Sequence, residues 1–384
     1  MHKLLHVHSN IVFIDHSRRY VTPEIHNEVL FIGIDNESNR LKLHQYGIKF
    51  KIFENTSTGI SDAINYANSF DGVIFHCLYQ SSVQILFNLN PKIKTFLKFF
   101  GQELYMLSPE TFLSSMTNAY QPKSHYSILG RFKRLLSGFK RKVKIAINKE
   151  YFVQRDNQKR VYERFDVVLM ISKFEYDELA KLFYLPKLIE RQLVDQEQEI
   201  YECKLSPNKL NKIIIGNSGH RWNNHLDILN MISSTHNAVD IEFNLFFSYG
   251  TESIYSEEVK LQALKIKNLN LIESFLSKDK FEEFYFSAAA LVINSYRQHA
   301  IGNIFAGIKN GCKIYLNKKS STYDWLLSKG FLISEVEELK NDIETNNIKL
   351  SVEQQQYNFD CFINAVKSYT TEDFIDNVIK ELKN

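Results

Sequence analysis

The sequence is sparing in the residues that mark several protein classes. Its four cysteines, Cys77, Cys203, Cys312 and Cys361, fall without CxxC or CxxH spacing, which points away from a zinc site and from a disulfide framework and suits a reducing cytoplasm. Six prolines and fourteen glycines in 384 residues leave little room for low-complexity linkers, so the chain is expected to fold throughout. Long apolar runs are missing too. No window of about 18 apolar residues occurs, and even Ala288 to Tyr296 stops at Arg297, so no membrane span is expected. The opening residues, Met1 to His8, run straight into strand-like sequence without the apolar stretch of about 7 to 15 residues of a signal peptide, and no secretion signal is expected. Net charge is only +3. With no recognised nucleic-acid module, that near-neutral balance argues against a nucleic-acid partner.

What is present is a regular alternation of strand and helix patterns. The length suits two domains of roughly 150 to 200 residues. In the first half, Leu4 to Val7, Val29 to Ile34, Lys49 to Phe53, Gly72 to Phe75, Lys94 to Phe99 and Asp166 to Ile171 read as strands. Gly59 to Ser69 and a segment capped by Ser172 read as helices. Residues 186 to 210, with Pro186 and Pro207, have the composition of a domain connection, and the boundary is placed near Ser206. The second half repeats the pattern from Lys212 to Leu316. Strand, helix, strand at this spacing predicts right-handed βαβ crossovers and mostly parallel sheets, an α/β chain of two Rossmann-like domains facing a cleft. The last segment, Val352 to Lys383, reads as one amphipathic helix, of a kind that crosses back onto the first domain.

Two loops carry the strongest chemical signal. Ile213 to Ile215 reads as a buried strand running into Gly216-Asn217-Ser218-Gly219, where glycines permit a sharp turn and N–H groups can face the carboxyl edge of the sheet. A following helix from near Asn223 or Asn224 would add its positive end, so a diphosphate could be held without a metal. The run is neither GxGxxG nor a Walker loop, and a plain tight turn explains it as well. The second loop, Asn294 to Asn303, again follows an apolar strand and precedes a helix. Arg297 could pair with a diphosphate bidentately, and Gly302-Asn303 could open the next helix toward the same charge. A surface cation and a packing glycine are the alternative there. Tyr249, after the strand ending at Phe247, would border the base or phosphate pocket.

In the first half, Glu103 lies just past a strand and His76 just past another. Either could act on the proton of an acceptor hydroxyl, and an exposed glutamate and a backbone-bonded histidine are the plainer alternatives. His6, His8 and His16 are spaced irregularly for a metal site, so no metal is expected. Between Lys123 and Arg160 twelve basic residues face two acidic ones, Glu150 and Asp156. Such an excess suits an anionic lipid surface or a polyphosphate, or else marks a solvated segment.

At Gly216-Asn217-Ser218-Gly219-His220-Arg221-Trp222-Asn223-Asn224-His225 the sequence resembles the family of TDP-Fuc4NAc lipid II transferases of enterobacterial common antigen synthesis, whose loop reads GNSGDxSNxH. Arg297-Gln298-His299-Ala300-Ile301-Gly302 is similar to its RQQGIG, and Phe100 to Tyr105 to its WGADLY. His220 stands where the family has an acid, and Gln102-Glu103 replaces Ala-Asp.

The resemblance implies a GT-B fold. It implies an acceptor-binding domain at 1–205 with the basic segment 123–160 against anionic lipid, a donor domain at 206–355, and a C-terminal helix at 356–384 on the N-terminal domain. The donor would be a nucleotide-sugar, TDP-linked, with no other cofactor. The acceptor would be a polyprenyl-diphosphate-linked saccharide, and the protein peripheral at the inner face of the cytoplasmic membrane. Donor-binding residues would be Gly216, Asn217, Ser218, Gly219, Asn223, His225, Tyr249, Arg297, Gln298, Gly302 and Asn303. Rival expectations are a nucleotide-sugar epimerase of similar fold and a non-catalytic peripheral scaffold.

Overall fold

The computed structural model describes residues 1–11, 14, 17, 20, 22–120, 153–193, 205–236, 238–250 and 253–383. Among the described residues thirteen strands form two sheets, each wholly parallel. The first sheet contains β1 (His2–His8), β2 (Ile25–Ile32), β3 (Lys49–Phe53), β4 (Gly72–His76), β5 (Lys94–Lys98), β6 (Val167–Met170) and β7 (Lys187–Glu190), in the order β3-β2-β1-β4-β5-β6-β7. The second contains β8 (Lys212–Ile215), β9 (Glu242–Phe246), β10 (Leu269–Ile272), β11 (Ala290–Ile293), β12 (Lys313–Leu316) and β13 (Ile333–Glu335), in the order β10-β9-β8-β11-β12-β13.

Both sheets are doubly wound. The chain builds outward from β1 and from β8, then returns to the other side at β4 and at β11. The gap between those neighbours is the topological switch point, where open α/β sheets bind ligands beyond the carboxyl ends of the strands. Ile213, Ile214 and Ile215 are all buried, as are Leu291 and Val292. Continuous apolar strands of this kind are what a parallel sheet covered on both faces requires.

The described residues fall into two compact units. Those of Met1–Leu107, His125–Asp195 and Tyr369–Asn384 form one, and those of Ser108–Ser124 and Gln196–Ser368 the other. The single C-terminal helix expected from the sequence is two, Val352–Lys367 and Thr371–Lys383. The break has a local cause. Thr370 and Asp373 cap each other, Thr370 N–H donating to Asp373 Oδ2 at 2.8 Å and Asp373 N–H to Thr370 Oγ1 at 3.1 Å, which starts a new helix. The first helix groups with the second unit and the last helix with the first unit, where Phe374, Ile375, Val378 and Ile379 pack with Leu4, Ile74, Phe96, Val167 and Ile189. Lys187 also pairs with Glu381.

Two further differences concern the domain connection and the extent of the first domain. Residues from Lys187, taken as the start of a domain connection, form the edge strand β7, whose buried Ile189 secures it to the core. Pro109–Phe112 and Ser115–Ala119, expected within the first domain, belong to the second unit. There the Ser114 N–H donates to Asn224 Oδ1 at 2.9 Å and Ser114 Oγ to Asp227 Oδ2 at 2.6 Å. The basic run from Lys123 lies outside the described residues as far as position 152. Among the described residues no helix is long and apolar enough to cross a membrane.

Phe374 is 1% exposed, so Phe374→Ala leaves a void under the first sheet. A loss of about 3 to 5 kcal/mol is expected in urea denaturation; a loss under about 1 kcal/mol would mean that the last helix is not part of this core.

Candidate functional site

Both switch points are lined by polar residues, and they differ in character. In the second unit Gly216 follows β8 in the left-handed region, φ +66°, and a Cβ there would lie 2.9 Å from His225 Nε2. The turn therefore needs glycine on two counts, conformation and space. Gly219 donates its N–H to the Tyr249 carbonyl at 2.6 Å, and the Gly216 N–H donates to Val292 O at 2.9 Å. These two amides hold the loop in place instead of facing outward. Asn217 Nδ2 donates to the Tyr249 hydroxyl at 2.9 Å, and Asn223 Nδ2 to the Ser218 carbonyl at 3.0 Å.

The helix expected from Asn223 or Asn224 begins at His225, after a short 3₁₀ turn at Arg221–Asn223. Its His225 N–H donates to the Tyr255 hydroxyl at 2.7 Å. The His225 ring is wholly buried against Phe247 and Tyr255 beneath Gly216. Burial pushes its pKa down to about 3, so it is neutral and packs under the loop.

The second loop is tied to the first by side-chain amides. Asn224, at φ 45°, donates from Nδ2 to the Asn294 carbonyl at 2.9 Å, and Asn294 Nδ2 donates back to the Asn224 carbonyl at 3.2 Å. Asn317, after β12, donates to Asn294 Oδ1 at 2.8 Å. The Arg297 guanidinium lies 5.0 Å from the Trp222 ring centre, bringing the Arg297 loop against the Gly216–Gly219 loop. Gln298 is half-buried on the same loop. Asn303 turns its amide to the Tyr285 hydroxyl at 2.8 Å, and a Cβ on Gly302 would meet nothing within 4 Å.

Beside these loops Tyr249 and Phe275, both exposed, stack with centroids 5.7 Å apart and planes 5° from parallel. Tyr249 also lines a cavity of about 180 Å³ with Gly219, Ser248, Gly250, Lys260 and Glu273. Sequence reasoning gave no role to Trp222, Asn224, Asn294, Asn317 and Phe275. Trp222, Asn224 and Asn294 lie inside the quoted loops, which was the available signal; Asn317 and Phe275 lie outside them.

In the first unit, histidines from β1 and β4 meet at the switch point. His6 Nδ1 lies 3.0 Å from His76 Nε2, and His8 stacks on His76 with centroids 3.8 Å apart. The tautomers follow from one asparagine. Asn27 Nδ2 donates to the Tyr20 carbonyl at 2.5 Å, so its Oδ1 faces His6 Nε2 at 3.0 Å as an acceptor. His6 therefore carries its hydrogen on Nε2, its Nδ1 accepts from His76 Nε2–H, and neutral His76 has its lone pair on Nδ1. Burial, opposed by the Asn27 hydrogen bond and reinforced by Lys98, pushes the His6 pKa down to about 4. Burial, then the neighbouring His6 and Lys98, also hold His8 well below its usual value. Glu103, His76 and Lys98 are all buried. The charge of Glu103 adds to burial in keeping the Cys77 thiol protonated.

No family model matches this sequence, and no curated protein matches it. Solved structures do match its fold. HepE of Anabaena, in complex with UDP and glucose, aligns over 100% of both chains with a TM-score of 0.63 at 12% identity. The fold is of the GT-B type. Sucrose-phosphate synthase of Thermosynechococcus elongatus gives 0.63 at 7% identity over 99% of this chain and 98% of that one. A UDP-GlcNAc 2-epimerase of Neisseria meningitidis, bound to UDP-GlcNAc, gives 0.51 at 13% over 100% of both chains.

Two outcomes test this geometry. Gly216→Ala is expected to destabilise the protein by about 1 to 3 kcal/mol in thermal or urea unfolding, while Gly302→Ala, at an open helical position, costs nothing or stabilises slightly. Equal effects would contradict the placement of Gly216. The second concerns pH. His6 is neutral when folded, whereas its unfolded form takes up a proton near pH 6.5, so its contribution is present above about 6.5 and lost as pH falls toward 4. The loss reaches about 3 kcal/mol near pH 4. Urea melts from pH 7 to 4 should slope less steeply for His6→Gln; an unchanged slope would rule out this origin.

Proposed function

We propose that the chain is a metal-independent glycosyltransferase moving a sugar of the 4-amino-4,6-dideoxy type from a nucleotide diphosphate, TDP in the reading the motifs favour. The acceptor is a polyprenyl-diphosphate-linked saccharide of bacterial surface polysaccharide synthesis. The observation that carries this is the pairing of the Gly216–Gly219 and Arg297 loops across the switch point of the second sheet, joined through Asn224 and Asn294. A fold shared with HepE, which binds UDP and glucose, supports it.

In the reaction the bond from the anomeric carbon to the diphosphate breaks, a bond from that carbon to the acceptor oxygen forms, and the hydroxyl proton passes to a base. Arg297 stabilises the charge growing on the diphosphate, and its stacking on Trp222 sets the guanidinium in place beforehand. The Tyr249 and Phe275 pair offers the flat apolar surface a nucleobase needs. Ser218, Asn217 and the rest of the loop shape the donor side. His76, with its lone pair on Nδ1, and Glu103 are the two groups assigned to the acceptor proton. The basic segment 123–160 holds the enzyme to anionic lipid at the inner face of the cytoplasmic membrane.

Arg297→Ala should lower turnover of a TDP-sugar by about a hundredfold or more while leaving the fold intact by circular dichroism. Product analysis of the wild type decides the reaction class. A glycosylated lipid supports transfer, and free nucleotide with an epimerised sugar would replace it with epimerisation. Unchanged turnover in Arg297→Ala would remove this arginine from the site.

A further inference from the structure

The Arg297 loop carries a second polar group that neither the motif nor the reaction scheme uses. His299 Nδ1 lies 3.3 Å from Arg297 Nη2. A guanidinium has only donors, so His299 Nδ1 is the acceptor and the hydrogen of the neutral ring sits on Nε2. That Nε2–H is buried and has no hydrogen-bond partner among the described residues. A buried donor without an acceptor is destabilising. The feature is therefore one that a ligand oxygen would relieve.

The surroundings keep the ring neutral. Burial, then the charge of Arg297, holds the His299 pKa well below its ordinary value, with His220 and His225 acting in the same direction. His220 is itself lowered by burial, Arg297 and Arg221. Lys319, over the ring of Tyr296 on the same loop, adds another cation nearby. Protonation of Nδ1 would remove the acceptor of Arg297 and place two cations side by side. Arg297, Arg221 and Lys319 make the surroundings of His299 cationic.

We propose that His299 is a ligand of the donor diphosphate: its Nδ1 orients the Arg297 guanidinium, and its Nε2–H donates to a diphosphate oxygen. Arg297 and His299 then form one fork, a charged donor and a neutral donor held at a fixed spacing by the bond between them. This rests on the donor-site assignment made above and adds a residue to it. The neutral donor increases the grip on the diphosphate without adding a charge that would have to be desolvated before the ligand arrives.

The two isosteres of histidine separate these roles. In His299→Asn the amide oxygen replaces Nδ1 and still accepts from Arg297, but the ε donor is lost. In His299→Gln the amide nitrogen replaces Nε2 and still donates. Binding of dTDP and of UDP at pH 7.5 is measured by calorimetry for the wild type and both variants. We expect His299→Asn to weaken the bound nucleotide by about tenfold or more, and His299→Gln to stay within about threefold. In nitrogen-15 spectra of the free protein, His299 should show its proton on Nε2. Wild-type affinity in His299→Asn, equal losses in both variants, or a proton on Nδ1 would each overturn the proposal. Failure of the wild type to bind any nucleotide would instead overturn the donor-site assignment beneath it.

Discussion

The second unit depends on the reciprocal bonds between Asn224 and Asn294. Loops after parallel strands have no ladder hydrogen bonds to hold them, and their backbone groups need partners elsewhere. Here Asn224 supplies its carbonyl to Asn294 Nδ2, its Nδ2 to the Asn294 carbonyl and its Oδ1 to Ser114 N–H, while Asn294 Oδ1 accepts from Asn317. Three strand ends are thus fixed by one buried amide network. Such a network is stiff only when every member is satisfied, because the same burial makes each missing partner costly.

Most strands and the principal helices were legible because a parallel sheet covered on both faces leaves plain apolar runs. Lys49–Phe53 comes out with the bounds read from the sequence, and the buried strand Ile213 to Ile215 lies within Lys212–Ile215. The departures have physical causes. The edge strand β7 is short and only Ile189 is buried, so its period is too brief to read. The reading carries the C-terminal helix on through Ser368 to Thr370, but the Thr370 and Asp373 cap starts a new helix there. Within the site, the glycine turn and Arg297 were readable as residue types, whereas the roles of Asn224, Trp222 and His299 depend on which groups meet after folding.

The two switch points use histidine to different ends. Beneath Gly216, His225 fills space and stays neutral by burial. In the first unit, Asn27 sets the tautomer of His6 and through it that of His76, so a residue of β2 determines which nitrogen of a β4 histidine holds its proton. Tautomer control of this kind acts without any change in position, by deciding where the lone pair lies.

The last helix has a consequence for biosynthesis. Its apolar face, from Phe374 to Ile379, completes the packing of strands near the other end of the chain, Leu4 and Ile74 among them. During synthesis the first sheet, complete once β7 ends at Glu190, must therefore wait with its face uncovered until Thr371–Lys383 emerges, and the whole of the second sheet is made in between. The second unit can close around β8 to β13 before the first is finished. Folding order along the ribosome would then run opposite to sequence order, and a holding chaperone would find its binding surface on the part made earliest.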